Sequence, residues 1–270
     1  MLDSVMTSIL ACGQTDPGLA RLHNEDAFRV DSDRGLYVVA DGMGGHSHGE
    51  VASKIAVETI TKALRSAPEP VVAQPPRSAG DTAIDKDSGL RPHSLRFKEA
   101  IRRAHDAMLL AIRDDLRLQG MGTTVAGLLV QDGVAAVAHV GDSRVYRLRG
   151  GELGLLTRDH TWVNEQVIAG FLTEDQARTH PLRNVVTRAL GGEADVSVDV
   201  IEVELRKGDL YLVCSDGLTT MLTDAEIRGR LSSGKPLDEI CRLLIADANE
   251  RGGVDNITVI LARVQDESRS

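Results

Sequence analysis

The segment Leu36-Tyr37-Val38-Val39-Ala40-Asp41-Gly42 shows a pattern that recurs through the chain. Five apolar residues predict a buried strand, and an aspartate follows where the strand ends. The same combination of an apolar run with an aspartate at one end occurs at three further places: Leu210–Cys214 before Asp216, Ala136–Val140 before Asp142, and Ile257–Val264 after Asp255. Because strand ends hold side chains in defined positions, we expect these four aspartates to line one cleft.

Four carboxylates in one cleft raise one another's pKa and need a positive counter-charge. A ligand set made of oxygen atoms, without His or Cys, favours hard ions such as Mg²⁺ or Mn²⁺. Any single Asp-Gly pair is more simply an ordinary turn, as predicted for Asp132-Gly133 between two apolar runs. Asp41 differs because the glycine-rich segment Met43–His46 follows it and leads into a helix. The four positions together therefore favour a metal site.

Composition and charge exclude several classes of protein. Hydrophobic residues make up 42% and charged residues 26% of the 270 residues, as in ordinary soluble proteins. With 31 Lys and Arg against 40 Asp and Glu, the net charge is −9, which argues against nucleic-acid binding. Cys12, Cys214 and Cys241 are widely spaced, so we expect reduced thiols, with no disulfide framework and no zinc site. We predict a cytoplasmic protein without a signal peptide or membrane span.

The pattern of predicted elements indicates an α+β protein. Strands are predicted at Ser8–Ala11, Ala27–Val30, Leu36–Ala40, Thr124–Val130, Val134–Val140, Val145–Leu148, Val196–Leu205, Leu210–Ser215 and Ile257–Val264. The apolar phase changes within Val196–Leu205, which predicts a β-bulge. Helices are predicted from the capping box at Ser47 to about Arg65, from Ser94 through Ala111, and from Pro236 through Ala248. Strands joined mostly without intervening helices favour antiparallel sheet covered by helices.

Two segments interrupt this single domain, which we expect to span residues 1–270. Residues 66–93 hold five of the eight prolines and little apolar periodicity, which predicts a flexible insertion. Residues 157–192 form a mixed helical excursion between strands, a candidate flap over the site. The arginines of this flap either contact acidic phosphorylated substrates or are simply solvated.

Six motifs occur in the order found in metal-dependent type-2C serine/threonine protein phosphatases: Thr15–Asp26, Ala40–Glu50, Met121–Thr124, Val140–Tyr146, Ser215–Leu218 and Asp255–Thr258. The chain resembles the bacterial single-domain branch of this family over about residues 8 to 264. The resemblance implies a four-layer α-β-β-α sandwich of two antiparallel sheets flanked by helices. It also implies a centre of two Mn²⁺ or Mg²⁺ ions at one edge, with a third, weaker ion in bacterial members.

The resemblance also implies roles for individual metal ligands. Asp41 matches the carboxylate that bridges both metals, and the Gly42 carbonyl matches a ligand of the second metal. Asp216 and Asp255 match ligands of the first metal. Asp142 matches a ligand of the third metal, with Asp216 shared.

Four further residues have implied roles around that centre. Glu25 and Asp26 match residues that hold metal-bound waters or orient the ligands. Arg21 matches the guanidinium that binds the substrate phosphate, where a bidentate contact is possible. His46 is a candidate proton donor to the leaving group, although it lies three residues beyond the histidine position of eukaryotic relatives, where Met43 stands. Alternatively, His46 fixes the loop and a metal-bound water is the acid.

The implied activity is hydrolysis of phosphoserine and phosphothreonine in proteins. Two cations lower the pKa of a shared water, and the resulting hydroxide attacks phosphorus in line. We expect a monomer whose partners are phosphorylated proteins and a cognate Ser/Thr kinase. The alternatives are a pseudophosphatase that serves as an interaction module, or a phosphatase dedicated to one regulatory protein. The complete set of matching ligand positions argues against the pseudophosphatase. Phosphatases dedicated to one regulatory protein usually carry a sensory domain, which we do not expect here, and this argues against the second alternative.

Overall fold

The computed structural model describes residues 8–44, 48–65 and 89–265. The strands in this part of the chain are β1 (Ile9–Asp16), β2 (Asp26–Asp31), β3 (Leu36–Met43), β4 (Gly122–Thr123), β5 (Val125–Gln131), β6 (Val134–Val140), β7 (Arg144–Arg149), β8 (Glu152–Leu155), β9 (Asp199–Glu204), β10 (Leu210–Cys214) and β11 (Ile257–Val264). The helices are α1 (His48–Arg65), α2 (Pro92–Asp114), α3 (Trp162–Ile168), α4 (Glu174–Thr179), α5 (Asp216–Thr219), α6 (Asp224–Leu231) and α7 (Leu237–Glu250).

The strands form two antiparallel sheets. Sheet A has the order β1-β11-β10-β7-β8, and sheet B has the order β2-β3-β5-β6-β9, with the short β4 paired to β3. The sheets pack face to face around Tyr37, Val213 and Ile260. Helices α1 and α2 cover the outer face of sheet B, and α6 and α7 cover that of sheet A. The predicted four-layer α-β-β-α sandwich is confirmed.

Strand β3 is apolar at successive positions because both of its faces are buried. Leu36, Val38 and Ala40 belong to the cluster that packs against α1 and α2. Tyr37 and Val39 belong to the cluster between the sheets. A sheet covered on both faces needs apolar side chains at every position of its central strands.

The predicted β-bulge is wrong, because burial on both faces of a strand also explains its apolar pattern. Strand β9 keeps one continuous register with β6, from the pair Glu204–Val134 to the pair Asp199–His139. Val200 packs toward the helices, whereas Val203 packs between the sheets. The apparent phase shift arises because both faces of a regular strand are apolar.

The predicted turn and helix starts agree with the structure to within two residues. Asp132 (φ 51°) and Gly133 (φ 73°) form the predicted two-residue turn between β5 and β6, since both positions need positive φ. Helix α2 starts two residues before Ser94, which donates a hydrogen bond to Glu202 Oε1 (2.6 Å). Helix α7 begins directly after Pro236, as predicted.

Some predictions lie wholly or partly outside the described residues. Ser47, the first residue of the capping box, is outside them, and so are residues 66–88 of the predicted insertion. Pro92 and His93, which that prediction included, belong to α2. Residues 157–192 contain α3 and α4, as expected of a mixed helical excursion. None of the helices in the described ranges is long and apolar enough to cross a lipid bilayer.

Candidate metal centre

Strand pairing brings the predicted aspartates to one edge of the sandwich. In sheet B, Asp41 near the end of β3 lies opposite Asp26 at the start of β2. Asp142 follows the end of β6 in the same sheet. In sheet A, the neighbouring strands β10 and β11 are antiparallel, so Asp216 after β10 and Asp255 before β11 lie at the same edge.

These carboxyl groups are buried close enough to raise one another's pKa. Burial raises the pKa of Asp41 well above its usual range, with further increases from Asp26, Asp216, Asp142 and Asp255. Burial and the charge of Asp216 raise the pKa of Asp142 to about 7. Burial and the charge of Asp255 raise the pKa of Asp216 to about 6, against the lowering effect of a hydrogen bond with Asp41. The positive charge near the site is therefore too small to balance these carboxyl groups.

Asp26 links the two sheets through one of its oxygens. Its Oδ2 accepts hydrogen bonds from Ser215 Oγ (2.8 Å) and Thr258 Oγ1 (2.6 Å), both from sheet A segments. Burial raises the pKa of Asp26 to about 7, although these two bonds act in the opposite direction. Its Oδ1 is buried and has no hydrogen-bond partner in the described part of the chain. One oxygen is thus held by the protein while the other is available to a ligand.

The residues at this edge fit a hard divalent cation. The donors are carboxylate oxygens, which Mg²⁺ and Mn²⁺ prefer, and a cation would relieve their repulsion. The backbone at Gly42 is packed tightly, because an added Cβ would lie 2.1 Å from the Gly49 carbonyl and 2.5 Å from the Glu25 carbonyl. Only glycine fits at this position next to Asp41 without displacing the neighbouring backbone.

The segment Met121–Thr124 holds the backbone of Asp41 in place. Thr123 Oγ1 and the Thr124 amide donate to the Asp41 carbonyl, at 2.8 and 2.9 Å. The Asp41 amide donates to Thr124 Oγ1 at 3.2 Å. Thr124 Oγ1 also lies 2.6 Å from Ser143 Oγ, next to Asp142. These hydroxyls join the ends of β3 and β6, and they explain the threonine pair in this motif.

Asn256 holds the loop that carries Arg21. Its Nδ2 donates to the carbonyls of Pro17 (2.9 Å) and His23 (3.0 Å), and its Oδ1 accepts from the Glu25 amide (2.7 Å). The half-exposed Arg21 places its Nη2 2.8 Å from Asp255 Oδ2, and this carboxylate raises the pKa of the guanidinium. Asn256 lies in the last of the six motifs, but the sequence gives no signal for this role, since its partners are more than 200 residues away in the chain.

Glu25 and His46 are the two remaining residues of the predicted site. The Glu25 carboxylate lies beside the first turn of α1, because a Cβ added to Gly49 would be 2.7 Å from Glu25 Oε2. Ser53 Oγ donates to the Glu25 carbonyl at 2.6 Å, which fixes this residue against the same helix. The structure thus places Glu25 near Gly42. His46 lies outside the described residues.

The predicted flap segment, residues 157–192, is anchored beside Asp142. Arg144 makes a bidentate ion pair with Asp159, with contacts of 2.9 and 2.6 Å. His160 Nδ1 accepts a hydrogen bond from the Gly141 amide at 3.0 Å. Two consecutive flap residues therefore bind the turn that presents Asp142.

A second group of potential metal ligands lies at this anchor. His139, His160 and Asp199 each contribute one possible ligand atom, and these three atoms lie within 4.8 Å of one another. Arg188 Nη1 already lies 3.0 Å from Asp199 Oδ1 and 3.0 Å from His160 Nε2. The guanidinium supplies the positive charge that a metal would bring, and the hydrogen bond from His160 lowers the pKa of Asp199. This group is better explained as the base of the flap than as a metal site.

Comparisons with known proteins agree with this geometry. Residues 20–255 match the family model described as protein phosphatase 2C. A serine/threonine phosphatase, Stp, of Listeria welshimeri is 36% identical over 251 residues, which cover 92% of this chain and 93% of that protein.

Solved structures show the same fold. The serine/threonine phosphatase PstP/Ppp of Mycobacterium tuberculosis superposes with a TM-score of 0.83 at 32% identity, over 96% of this chain and 100% of that one. The catalytic domain of PstP in complex with two manganese ions gives a TM-score of 0.80 at 32% identity, over 97% and 100% of the two chains.

We predict that the metal-free protein loses stability as the pH rises from about 5 to about 7.5. The folded pKa values of Asp26, Asp142 and Asp216 are raised, so the folded state keeps protons that the unfolded state releases. His93 and His139, whose pKa values are lowered by burial, act in the opposite sense but are outnumbered. Urea unfolding midpoints with chelator should fall across this range, and excess Mn²⁺ should remove the fall.

A matched pair of variants isolates the cause. Asp216→Asn removes one buried charge, since a pKa of about 6 leaves Asp216 ionised at pH 7.5, and it should raise the stability of the metal-free protein at that pH by about 2 kcal/mol. The control Asp132→Asn changes an exposed turn residue that Asn suits equally well, and should have no effect. A metal-free midpoint that rises with pH in the wild type and in both variants would contradict the electrostatic account.

Proposed function

The chain belongs to the protein phosphatase 2C family and is a metal-dependent protein serine/threonine phosphatase, and we propose that the aspartate cluster at the sandwich edge is its active centre. The observation that supports this most is that Asp41 pairs with Asp26 in sheet B, while Asp26 accepts a hydrogen bond at 2.8 Å from Ser215, the residue before Asp216. Buried carboxyls gathered in this way cost stability unless a cation binds them.

We assign the ligands as the resemblance to the family implies. Asp41 would be shared by two ions, Asp216 and Asp255 would hold the first of them, and the Gly42 carbonyl would hold the second. Asp142 would hold a third ion. Glu25 and Asp26 hold water or orient the ligands, which suits the partnerless Oδ1 of Asp26. When bound, Mn²⁺ or Mg²⁺ ions supply a nucleophilic water near neutral pH and offset the charge of the phosphoryl group.

Arg21 is the residue that binds the substrate phosphate. Asp255 holds one end of its guanidinium at the rim of the cluster, while the side chain remains 52% exposed. The remaining N–H donors form a planar fork that matches two phosphate oxygens. Without this positive charge, a phosphomonoester dianion would be repelled by the surrounding aspartates. His46 remains the predicted proton donor to the leaving alkoxide.

The substrates are phosphorylated proteins, as the names of the relatives indicate. We propose that a cognate Ser/Thr kinase acts on the same proteins, and that the phosphatase works as a monomer in the cytoplasm. The three free cysteines support a reducing compartment. The pseudophosphatase alternative is not favoured, because an interaction module would gain nothing from buried carboxylates that repel one another. A phosphatase dedicated to one regulatory protein is likewise not favoured.

Removing a single ligand tests the active centre. Asp216→Asn should lower hydrolysis of p-nitrophenyl phosphate and a phosphothreonine peptide at saturating Mn²⁺ by at least about 100-fold, because a metal ligand is lost. The far-ultraviolet circular dichroism should be unchanged, and Asp132→Asn should keep wild-type turnover. Near wild-type rates for Asp216→Asn would contradict the assignment.

Arg21→Ala should raise KM for p-nitrophenyl phosphate about 10- to 100-fold while Mn²⁺ affinity stays unchanged, because a charged bidentate contact is lost from substrate binding. Arg21→Lys should recover only part of the loss, since an ammonium group does not reproduce the fork. Arg230→Ala is the matched control, because Arg230 also pairs with an aspartate, Asp247, but on helices α6 and α7. Loss of Mn²⁺ binding with an unchanged KM would refute the role of Arg21.

A further inference from the structure

Three apolar side chains close to Arg21 or to its partner Asp255 in the sequence are exposed to solvent. Leu22 is 93% exposed, Leu19 is 70% exposed and Val254 is 47% exposed. Their burial elsewhere would have stabilised the fold, so their exposure at one place points to binding. We call Leu19, Leu22 and Val254 the apolar ledge.

The contacts that position the ledge also position Arg21. The Leu19 amide donates to the Gly253 carbonyl at 2.7 Å, and a Cβ added to Gly253 would lie 3.0 Å from Leu19 Cγ. The Arg21 guanidinium binds Asp255, one residue beyond Val254. The ledge is thus continuous with the proposed phosphate-binding residue.

We propose that the apolar ledge contacts an apolar side chain next to the phosphorylated residue of the substrate protein. This inference rests on the proposed role of Arg21. Successive residues of an extended peptide lie about 3.3 Å apart, so a phosphate on Arg21 brings the flanking residues within reach of Leu19 and Leu22. The net charge of −9 disfavours acidic flanking residues, and the ledge itself offers only exposed apolar side chains, so apolar flanking residues are its matching chemistry.

Two phosphothreonine peptides that differ only in Leu or Ser at the flanking positions test this proposal. The wild type should prefer the Leu peptide, and Leu22→Ser should lose about threefold to tenfold in kcat/KM on that peptide alone. Its turnover of p-nitrophenyl phosphate should not change. The matched control is Leu10→Ser, since Leu10 is 49% exposed and lies about 20 Å along β1 from the site end.

Equal loss on both peptides, or no preference in the wild type, would overturn the ledge while the phosphatase assignment stands. A wild type that hydrolyses neither peptide nor p-nitrophenyl phosphate with Mn²⁺ would overturn the proposed active centre, and the ledge with it.

A second observation, independent of the active centre, concerns two cysteines. Cys12 on β1 and Cys241 on α7 are 229 positions apart in the chain, yet their Sγ atoms are 3.1 Å apart. This is within about 1 Å of the bonded distance in a disulfide. Cys12 is partly exposed and Cys241 is buried. An oxidant in solution can therefore reach the Cys12 sulfur, which is in contact with the buried Cys241 sulfur.

We infer that hydrogen peroxide converts this pair into an intramolecular disulfide. The Cys12 thiolate attacks a peroxide oxygen and becomes a sulfenic acid, and the released hydroxide takes up a proton to form water. The Cys241 sulfur then attacks the Cys12 sulfur, loses its proton and displaces a second water. Two thiols and one peroxide give one disulfide and two waters. The crosslink ties β1 to α7.

Peroxide treatment followed by thiol counting in denaturant tests the inference. Reactive thiols should fall from three to one, with Cys214 still reduced. Non-reducing peptide mapping should show a Cys12–Cys241 crosslink in a monomer, and the urea midpoint should rise. Cys241→Ser should give neither the crosslink nor the added stability. Disulfide-linked dimers, Cys12 sulfinic acid without a crosslink, or three unchanged thiols would each overturn it.

Discussion

Mutual repulsion among buried carboxyl groups is the constraint on which this structure depends. Burial raises the pKa of Asp41 in sheet B, and the charges of Asp26, Asp216, Asp142 and Asp255 raise it further. A fold selected for stability alone would separate such groups or pair each with a base. Here the backbone instead holds them together, which supports the proposed binding of divalent cations.

The scaffold resists this repulsion with hydrogen bonds between segments distant in sequence. Asp26 Oδ2 accepts from Ser215 and Thr258 across the two sheets. Thr123 and Thr124 bind the backbone of Asp41. Most of these groups are buried, where such bonds hold a geometry more firmly than at the surface. The proposed ligands are therefore positioned before a metal binds, which would lower the cost of assembling the site.

Local sequence was sufficient where local physics decides the structure. The apolar run ending at Asp41 and the turn at Asp132 follow from burial and from allowed φ values, and both were predicted correctly. The bulge prediction for Val196–Leu205 was wrong because periodicity cannot distinguish a bulge from a strand that is buried on both faces. Which outer layer covers each face depends on the whole fold.

Long-range partners were beyond sequence reasoning. The role of Asn256 in holding Pro17 and His23, and the approach of Cys12 to Cys241, involve residues more than 200 positions apart. No spacing rule reports such contacts, because they exist only after both sheets have formed. The aspartates were identified because each stands at the end of a recognisable strand, although the sequence showed neither their burial nor the threonines that hold them.

The most direct measurement of the central claim is calorimetric titration of Mn²⁺ into chelator-treated protein at pH 6.5, repeated in buffers of different ionisation enthalpy. Carboxyls with pKa values of about 6 to 7 must release protons when a cation binds. The account predicts binding accompanied by proton release, and smaller release for Asp216→Asn. Absence of Mn²⁺ binding, or binding without proton release, would contradict it.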